Sequence, residues 1–263
     1  MTERAMAGFA LAAAIASLAW RARWLSRSGA VAATLIGALS VAASWQWGAL
    51  LIWFFASSSL LTRWRSRVKV GRTRGVVEKA GARDAVQVMA NGALFALSGV
   101  LGAWTGSTLW QAFGLGSLAT AAADTFATEV GTALSATPRF ILGGTRVAAG
   151  TSGAVSGIGT LASLAGGGAI GGAALAMGWP ADVAAIVVAA GVLGAFADTV
   201  MGATVQERRQ CHRCHQATES RVHECGAATA HAGGIGGFRN DLVNVTSGAL
   251  GGLIAVTAML ARR

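Results

Sequence analysis

The sequence predicts an all-α protein, a polytopic transmembrane helical bundle of about seven or eight spans with Gly/Ala-rich packing. Three observations lead there. Hydrophobic residues make up 54 % of the chain and charged residues 12 %, at a mean hydropathy of +0.55, outside the range of soluble globular domains. The apolar runs have the length of bilayer spans, roughly 20 residues each, so 263 residues leave no room for a large soluble domain and a single integral membrane domain over residues 1–263 is expected. Alternating strand patterning is absent, which argues against a barrel.

The first apolar run, residues 5–20, is followed by Arg21, Arg23 and Arg27. A cleavable signal peptide carries its positive charge before the apolar core, so this run is expected to be a retained span whose far end is cytoplasmic. The second and third spans, residues 30–43 and 47–61, are joined by Ser44, Trp45, Gln46 and Trp47, whose tryptophans are expected at the membrane interface. These N-terminal spans occupy residues 1–62. A basic cytoplasmic loop, residues 63–83, follows with Arg63, Arg65, Arg67, Lys69, Arg72, Arg74, Lys79 and Arg83. Further spans are expected at 84–104, 110–134, 153–178, 181–204 and 241–260. They form a motif-bearing core, residues 84–263, interrupted by a cytoplasmic Cys/His loop at 205–240.

With eight spans, alternate loops contain 18 of the 21 Lys and Arg residues and leave Arg4, Arg262 and Arg263 on the other side. The positive-inside rule then places both termini outside and the basic loops in the cytoplasm. A re-entrant early segment would lower the count to seven and change the termini. The expected location is the inner (plasma) membrane of a bacterium. The formal charge of +10 and pI near 11.4 are explained by these loops, so no nucleic-acid partner is expected.

Residues 117–131 carry the most informative pattern. Asp124 and Glu129, with Thr125 and Thr128, lie in a segment of spanning length and occupy roughly 140° of its circumference. Ionisable groups within a span cost about 2.5 to 3.5 kcal/mol each, so they usually face a protein interior or a wet cavity and act there. A second Ala-Asp-Thr triplet recurs at Asp198 and Thr199, with Gly202 and Gln206 on the same stripe as Asp198. Under the orientation above, all of these fall at cytoplasmic span ends, as do Asp84, Gln87 and Asn91 in the fourth span and Asn240, Asp241 and Asn244 in the eighth. They can converge at one depth.

Before the sixth span lie Gly143, Gly144, Thr145 and Arg146, then Gly150, Thr151, Ser152, Gly153 and Ser156. Glycines let backbone approach a ligand, and the following helix offers N–H groups and the positive end of its dipole to phosphate. The alternative is that Gly153, with Gly157, Gly167, Gly168, Gly171 and Gly172, serves close helix packing. Three cysteines, Cys211, Cys214 and Cys225, fit a reduced compartment, and with His223 they could close a structural zinc site. His212, His215 and His231 offer other ligands, and a metal-free loop is the simpler alternative.

Together these residues resemble a widespread family of small integral membrane proteins, long described only as a domain of unknown function, that includes the plastid phytyl-phosphate kinase of tocopherol synthesis. The resemblance rests on residues 81–92, 123–131, 150–153, 197–206 and 240–244, in the family's order; residues 1–80 match in character only. It implies phosphoryl transfer from a nucleoside triphosphate, CTP or ATP, to a prenyl monophosphate lipid within the bilayer. Asp124, Glu129 and Asp198 would hold Mg2+, with Asp84 as a fourth catalytic acid. Arg83, Gln87, Asn91, Thr125, Thr128, Arg146, Gly150, Thr151, Ser152, Gly153, Ser156, Thr199, Gln206, Asn240, Asp241 and Asn244 would bind nucleotide and phosphate, the lipid tail lying between helices. A homodimer is compatible with it. The alternatives are cytidylyl transfer onto a lipid phosphate and a cation- or proton-coupled transporter.

Overall fold

The computed structural model describes residues 2–77 and 81–262, so Lys79 and Arg263 lie outside the described residues. The described chain is predominantly helical: α1 (Thr2–Arg21), α2 (Arg27–Ala43), α3 (Trp45–Arg63), a short α4 (Ser66–Thr73), α5 (Ala85–Thr105), α6 (Thr108–Leu134), α7 (Gly157–Ala176), α8 (Ala181–Thr204) and α9 (Asn240–Ala261). Eight of these stand where spans were expected. Four of them, α5, α7, α8 and α9, are long and apolar enough to cross a membrane, and α2 is apolar but shorter.

Side chains that satisfy the first free N–H groups mark several helix starts. Ser26, Ser44, Ser107 and Ser156 accept from the backbone at Gly29, Trp47, Leu109 and Gly159. Asp84 and Gln87 form a reciprocal capping box on α5.

The centre of the bundle is α6, which packs against α3, α5, α7, α8 and α9. Every residue from 114 to 123 is buried, as in a helix surrounded on all sides. Small residues allow that crowding. A Cβ on Gly116 would lie 2.6 Å from the Gly251 carbonyl of α9. Of the glycines expected to pack helices, Gly153, Gly167 and Gly171 do meet α8, whereas Gly157, Gly168 and Gly172 face open space.

On the other side, α1 packs on α2 and α2 on α3 and α5. The turn after α1 is joined to the turn before α5, where Arg83 N donates to Trp24 O at 3.0 Å and Ser26 N donates to Arg83 O at 3.0 Å.

One expectation needs correction. The link between α2 and α3 is Ser44 alone, and Trp47 is no interfacial anchor: it is buried, stacked on Phe95 at 4.3 Å, and donates to the Phe95 carbonyl at 2.8 Å. A ring this large, with its N–H satisfied, contributes more to packing inside than at an interface. The loops also carry short strands. An antiparallel pair, β1 (Arg139–Phe140) and β2 (Ala154–Val155), aligns Arg139 with Val155. A three-stranded antiparallel sheet from the Cys/His loop has β3 (Arg208–Cys211) between β4 (Ala217–Thr218) and β5 (Thr229–Gly233), with Arg209 opposite Thr218 and Cys211 opposite Thr229.

Candidate functional site

The buried run of α6 ends at Asp124, where the helix opens onto a polar chamber of about 390 Å³. Asp124, Thr125, Thr128 and Glu129 all line it, so the polar arc read from the sequence faces one space. Asp198, Thr199, Gly202 and Gln206 of α8, Asn240 and Asp241 of α9, Arg83, Gln87, and the segment 150–156 complete much of the wall.

The acids differ in their surroundings. Glu129 is held by the Thr62 hydroxyl at 2.6 Å and by an ion pair with Lys69. The same Lys69 ammonium donates to the carbonyls of Leu61 and Thr62 at 2.7 and 2.8 Å, two of the orphan acceptors at the C-terminus of α3. Asp198 accepts from Ser247 at 2.9 Å. Asp124 has no hydrogen-bond or ion-pair partner among the described residues. It lies close enough to Asp198 for the two charges to repel. Two half-buried carboxylates facing a cavity without a basic partner have the donor chemistry of a hard divalent cation site.

Positive charge is nearby. Arg83 reaches the Thr62 hydroxyl at 3.3 Å; its burial lowers the guanidinium pKa, against the raising pull of Glu129. Arg239, also on the chamber wall, is aligned by Glu207, 3.8 Å away. Glu207 in turn accepts from Gly237 N and from Arg209.

The segment 150–156 is shaped by backbone that only glycine adopts readily. Gly150 and Gly153 have φ of +87° and +80°, and a Cβ on Gly153 would lie 2.5 Å from that of Ala203. Ser152 donates to Glu219, which also accepts from Gln206 at 2.8 Å. Ser156 caps α7.

Four expected site residues are not on the chamber wall. Asp84 accepts from the Gln87 backbone at 2.9 Å as the α5 cap. Asn91 donates to the Gln87 carbonyl at 2.9 Å and faces a different cavity. Arg146 is exposed in the β1–β2 connection. Asn244 is half-buried, one turn into α9.

A second cavity, of about 110 Å³, lies among α1, α2, α3 and α5. Its walls are apolar except at Arg83, Gln87, Asn91 and Thr125, and all of these but Asn91 also line the polar chamber.

Away from the chamber, Cys211, Cys214, His223 and Cys225 bring their ligand atoms within 4.8 Å of one another. The Cys211 and Cys225 sulfurs are 3.6 Å apart, and His223 Nδ1 lies 3.2 Å from Cys225 Sγ. Tetrahedral zinc, with bonds of about 2.0 to 2.3 Å, spaces its ligands at roughly 3.3 to 3.8 Å, near the two shorter separations here, so these four residues could hold the ion with a small adjustment.

Sequence reasoning missed Lys69, Thr62, Glu219 and Ser247. Lys69 had one available signal: it is one of two lysines in the chain and sits between Val68 and Val70 within an otherwise arginine-rich loop.

With this geometry in place, the comparisons bear out the family resemblance. The family described as integral membrane protein DUF92 matches residues 10–252, which takes in the N-terminal helices that carried no motif. Protein PGR of Arabidopsis thaliana is similar to the chain, 30 % identical over 218 residues that cover 73 % of this chain and 75 % of the plant protein. No solved structure matches. The chain is therefore a multi-pass membrane protein, and it belongs to the integral membrane protein family DUF92.

Proposed function

We propose that this protein transfers a phosphoryl group from a nucleoside triphosphate to a prenyl monophosphate, giving the prenyl diphosphate and a nucleoside diphosphate. The observation that carries the reading is the convergence in one chamber of two acids without a basic partner, Asp124 and Asp198, a glycine-shaped segment before α7 and the half-buried Arg83. In the reaction a phosphate oxygen of the acceptor attacks the terminal phosphorus of the donor. The new P–O bond forms as the bond to the bridging oxygen breaks, and the electron pair leaves with the nucleoside diphosphate. The acceptor is already ionised, so no strong general base is required, and catalysis is chiefly positioning and charge neutralisation.

Asp124 and Asp198 would hold Mg2+, which supplies positive charge against the phosphate oxygens. Glu129, tied to Lys69, would order the wall beside them. Arg83 and the segment 150–156 would orient the transferred group, and Arg239 with Asn240 and Asp241 would border the nucleotide. The Cys/His cluster would hold zinc as a structural element that steadies the loop supplying Glu219. The chamber would face the cytoplasm of a bacterial inner membrane.

The experiment is turnover by purified protein in lipid nanodiscs with Mg2+, CTP, ATP, UTP or GTP in turn, and prenyl monophosphates of five to twenty carbons, read by mass spectrometry. A prenyl diphosphate with a nucleoside diphosphate is the expected outcome. Release of pyrophosphate with a nucleotidyl lipid would replace the kinase by a nucleotidyltransferase. Turnover of no acceptor by any nucleotide would remove both.

A further inference from the structure

We infer that the small apolar cavity among α1, α2, α3 and α5 is the seat of a single hydrocarbon tail whose phosphate monoester lies in the polar chamber. This rests on the phosphoryl-transfer reading and deepens it by assigning the lipid a path and a tail count.

Three observations carry it. The apolar cavity and the polar chamber are adjoining spaces that share Arg83, Gln87 and Thr125, so a molecule lying across that wall has its apolar part on one side and its anionic part on the other. The shared residues suit the junction. Arg83 is a cation that phosphate oxygens pair with, while Gln87 and Thr125 are neutral and let a chain pass beside them without stranding a charge. The cavity wall also includes residues on the molecular surface, since Leu11 and Ile52, both on its wall, are 40 % and 37 % exposed. In a bilayer those side chains meet lipid, so the cavity opens sideways into the membrane and a lipid can slide in without leaving it.

Size sets the tail count. A cavity of about 150 Å³ with apolar walls accommodates one benzene. A space of about 110 Å³ therefore encloses only the first few carbons of one chain, and the remainder runs out past Leu11 and Ile52. A diacyl lipid would need room for a second chain beside the first, and these walls leave none. The ligand is a single-tailed lipid monophosphate. Isoprenoid and monoacyl tails share that chemistry and are separated by experiment.

The test uses full-length protein in nanodiscs and a geranylgeranyl monophosphate carrying a diazirine near the head-proximal carbons. After irradiation, peptide mapping is expected to place the label on α1, α2, α3 or α5, and competition by unlabelled geranylgeranyl phosphate to exceed that by dioleoyl phosphatidate at least tenfold. Lysophosphatidate competing as well as the prenyl phosphate would make the occupant any single-tailed phosphate; competing poorly, it would make it an isoprenoid. Val88→Phe, which fills the cavity from α5, is expected to weaken labelling at least tenfold and to lower the ratio of kcat/KM for the twenty-carbon over the five-carbon acceptor by a similar factor. Phe55→Ala, which enlarges the cavity, is expected to raise competition by bulkier tails. Label confined to α7 or α8, equal competition by phosphatidate, or normal labelling of a folded Val88→Phe protein would overturn the tail assignment. The labelling needs no turnover. Label on α1, α2, α3 or α5 in a protein that phosphorylates no acceptor would uphold the tail seat and remove the kinase reading, while diphosphate formation with the label elsewhere would do the reverse.

Discussion

Lys69 and Glu129 form an ion pair across a separation of 60 residues, with side-chain exposures of 9 % and 18 %. The pair ties α4 to the cytoplasmic-side turn expected for α6, and through the Leu61 and Thr62 carbonyls it also fixes the end of α3.

Removing one partner from such a pair leaves the other charge buried and uncompensated, at a cost of about 3 to 5 kcal/mol. Lys69→Met should therefore lower the thermal stability of the purified protein strongly. Lys69→Met combined with Glu129→Gln should recover much of the loss. A double-mutant cycle on unfolding in detergent measures this, and a Lys69→Met protein of unaltered stability would mean that solvent already screens the pair.

Asp124 and Asp198 should behave in the opposite way. Asp124 has no partner to strand, and asparagine at 198 can still accept from Ser247. Asp124→Asn and Asp198→Asn are expected to keep their melting temperature and lose turnover by on the order of 10²-fold or more, the scale of losing a charge aimed at the transition state. Specific activity per folded molecule, with nucleotide affinity measured with and without Mg2+, checks it. Near-normal activity, or nucleotide binding indifferent to Mg2+, would sink the metal-assisted kinase.

The loop that carries the cysteine cluster also supplies Glu219 to the chamber wall, where it holds Ser152 and Gln206. Cys225→Ser should lower zinc content and thermal stability together. Glu219→Gln should leave zinc in place while weakening the hold on Ser152 and Gln206, raising the KM for nucleotide severalfold. Metal analysis beside steady-state kinetics separates the two. A fully stable, metal-free preparation would remove zinc and leave the kinase reading intact.

Glu207 gives a pH dependence. The Gly237 N–H, first, and then the hydrogen bond from Arg209 hold its carboxyl below the ordinary glutamate value. Its folded pKa is depressed, so its contribution is complete above the unfolded value and is lost as pH falls through the folded one. Melting temperatures recorded from pH 6 down to pH 3 should fall less steeply for Glu207→Gln than for the parent, and identical slopes would show that Glu207 does not take part.

Much of the fold was legible because long apolar runs of spanning length mark the helices; caps such as Ser26, Ser44 and Ser156, which set where several of them start, emerged only with the structure. The chamber was legible for a related reason. Acids inside spans are costly enough that Asp124, Glu129 and Asp198 had to face a common interior. Asp84 carried a second legible signal, since an Asp followed three residues later by Gln is a capping signature, and the structure uses it as one. Lys69 was hidden because a basic loop reads the same whether a given lysine points to water or inward. Trp47 was hidden because an indole suits either an interface or a core. The β3 sheet left little trace, its strands being two to five residues long and their register set by partners distant in sequence.

The chamber draws on both Arg83, ahead of α5, and Ser247, within α9. At about 5 to 20 residues per second of synthesis, roughly 10 to 30 s pass between the appearance of one and of the other. Through the later part of that interval the nascent chain holds Asp124 and then Asp198 in the membrane without α9, whose Ser247 hydroxyl bonds Asp198. A biogenesis factor that retains half-made polar segments, or a protease that clears them, would therefore meet this protein during translation, and the insertion of α9 is the event that ends its exposure to both.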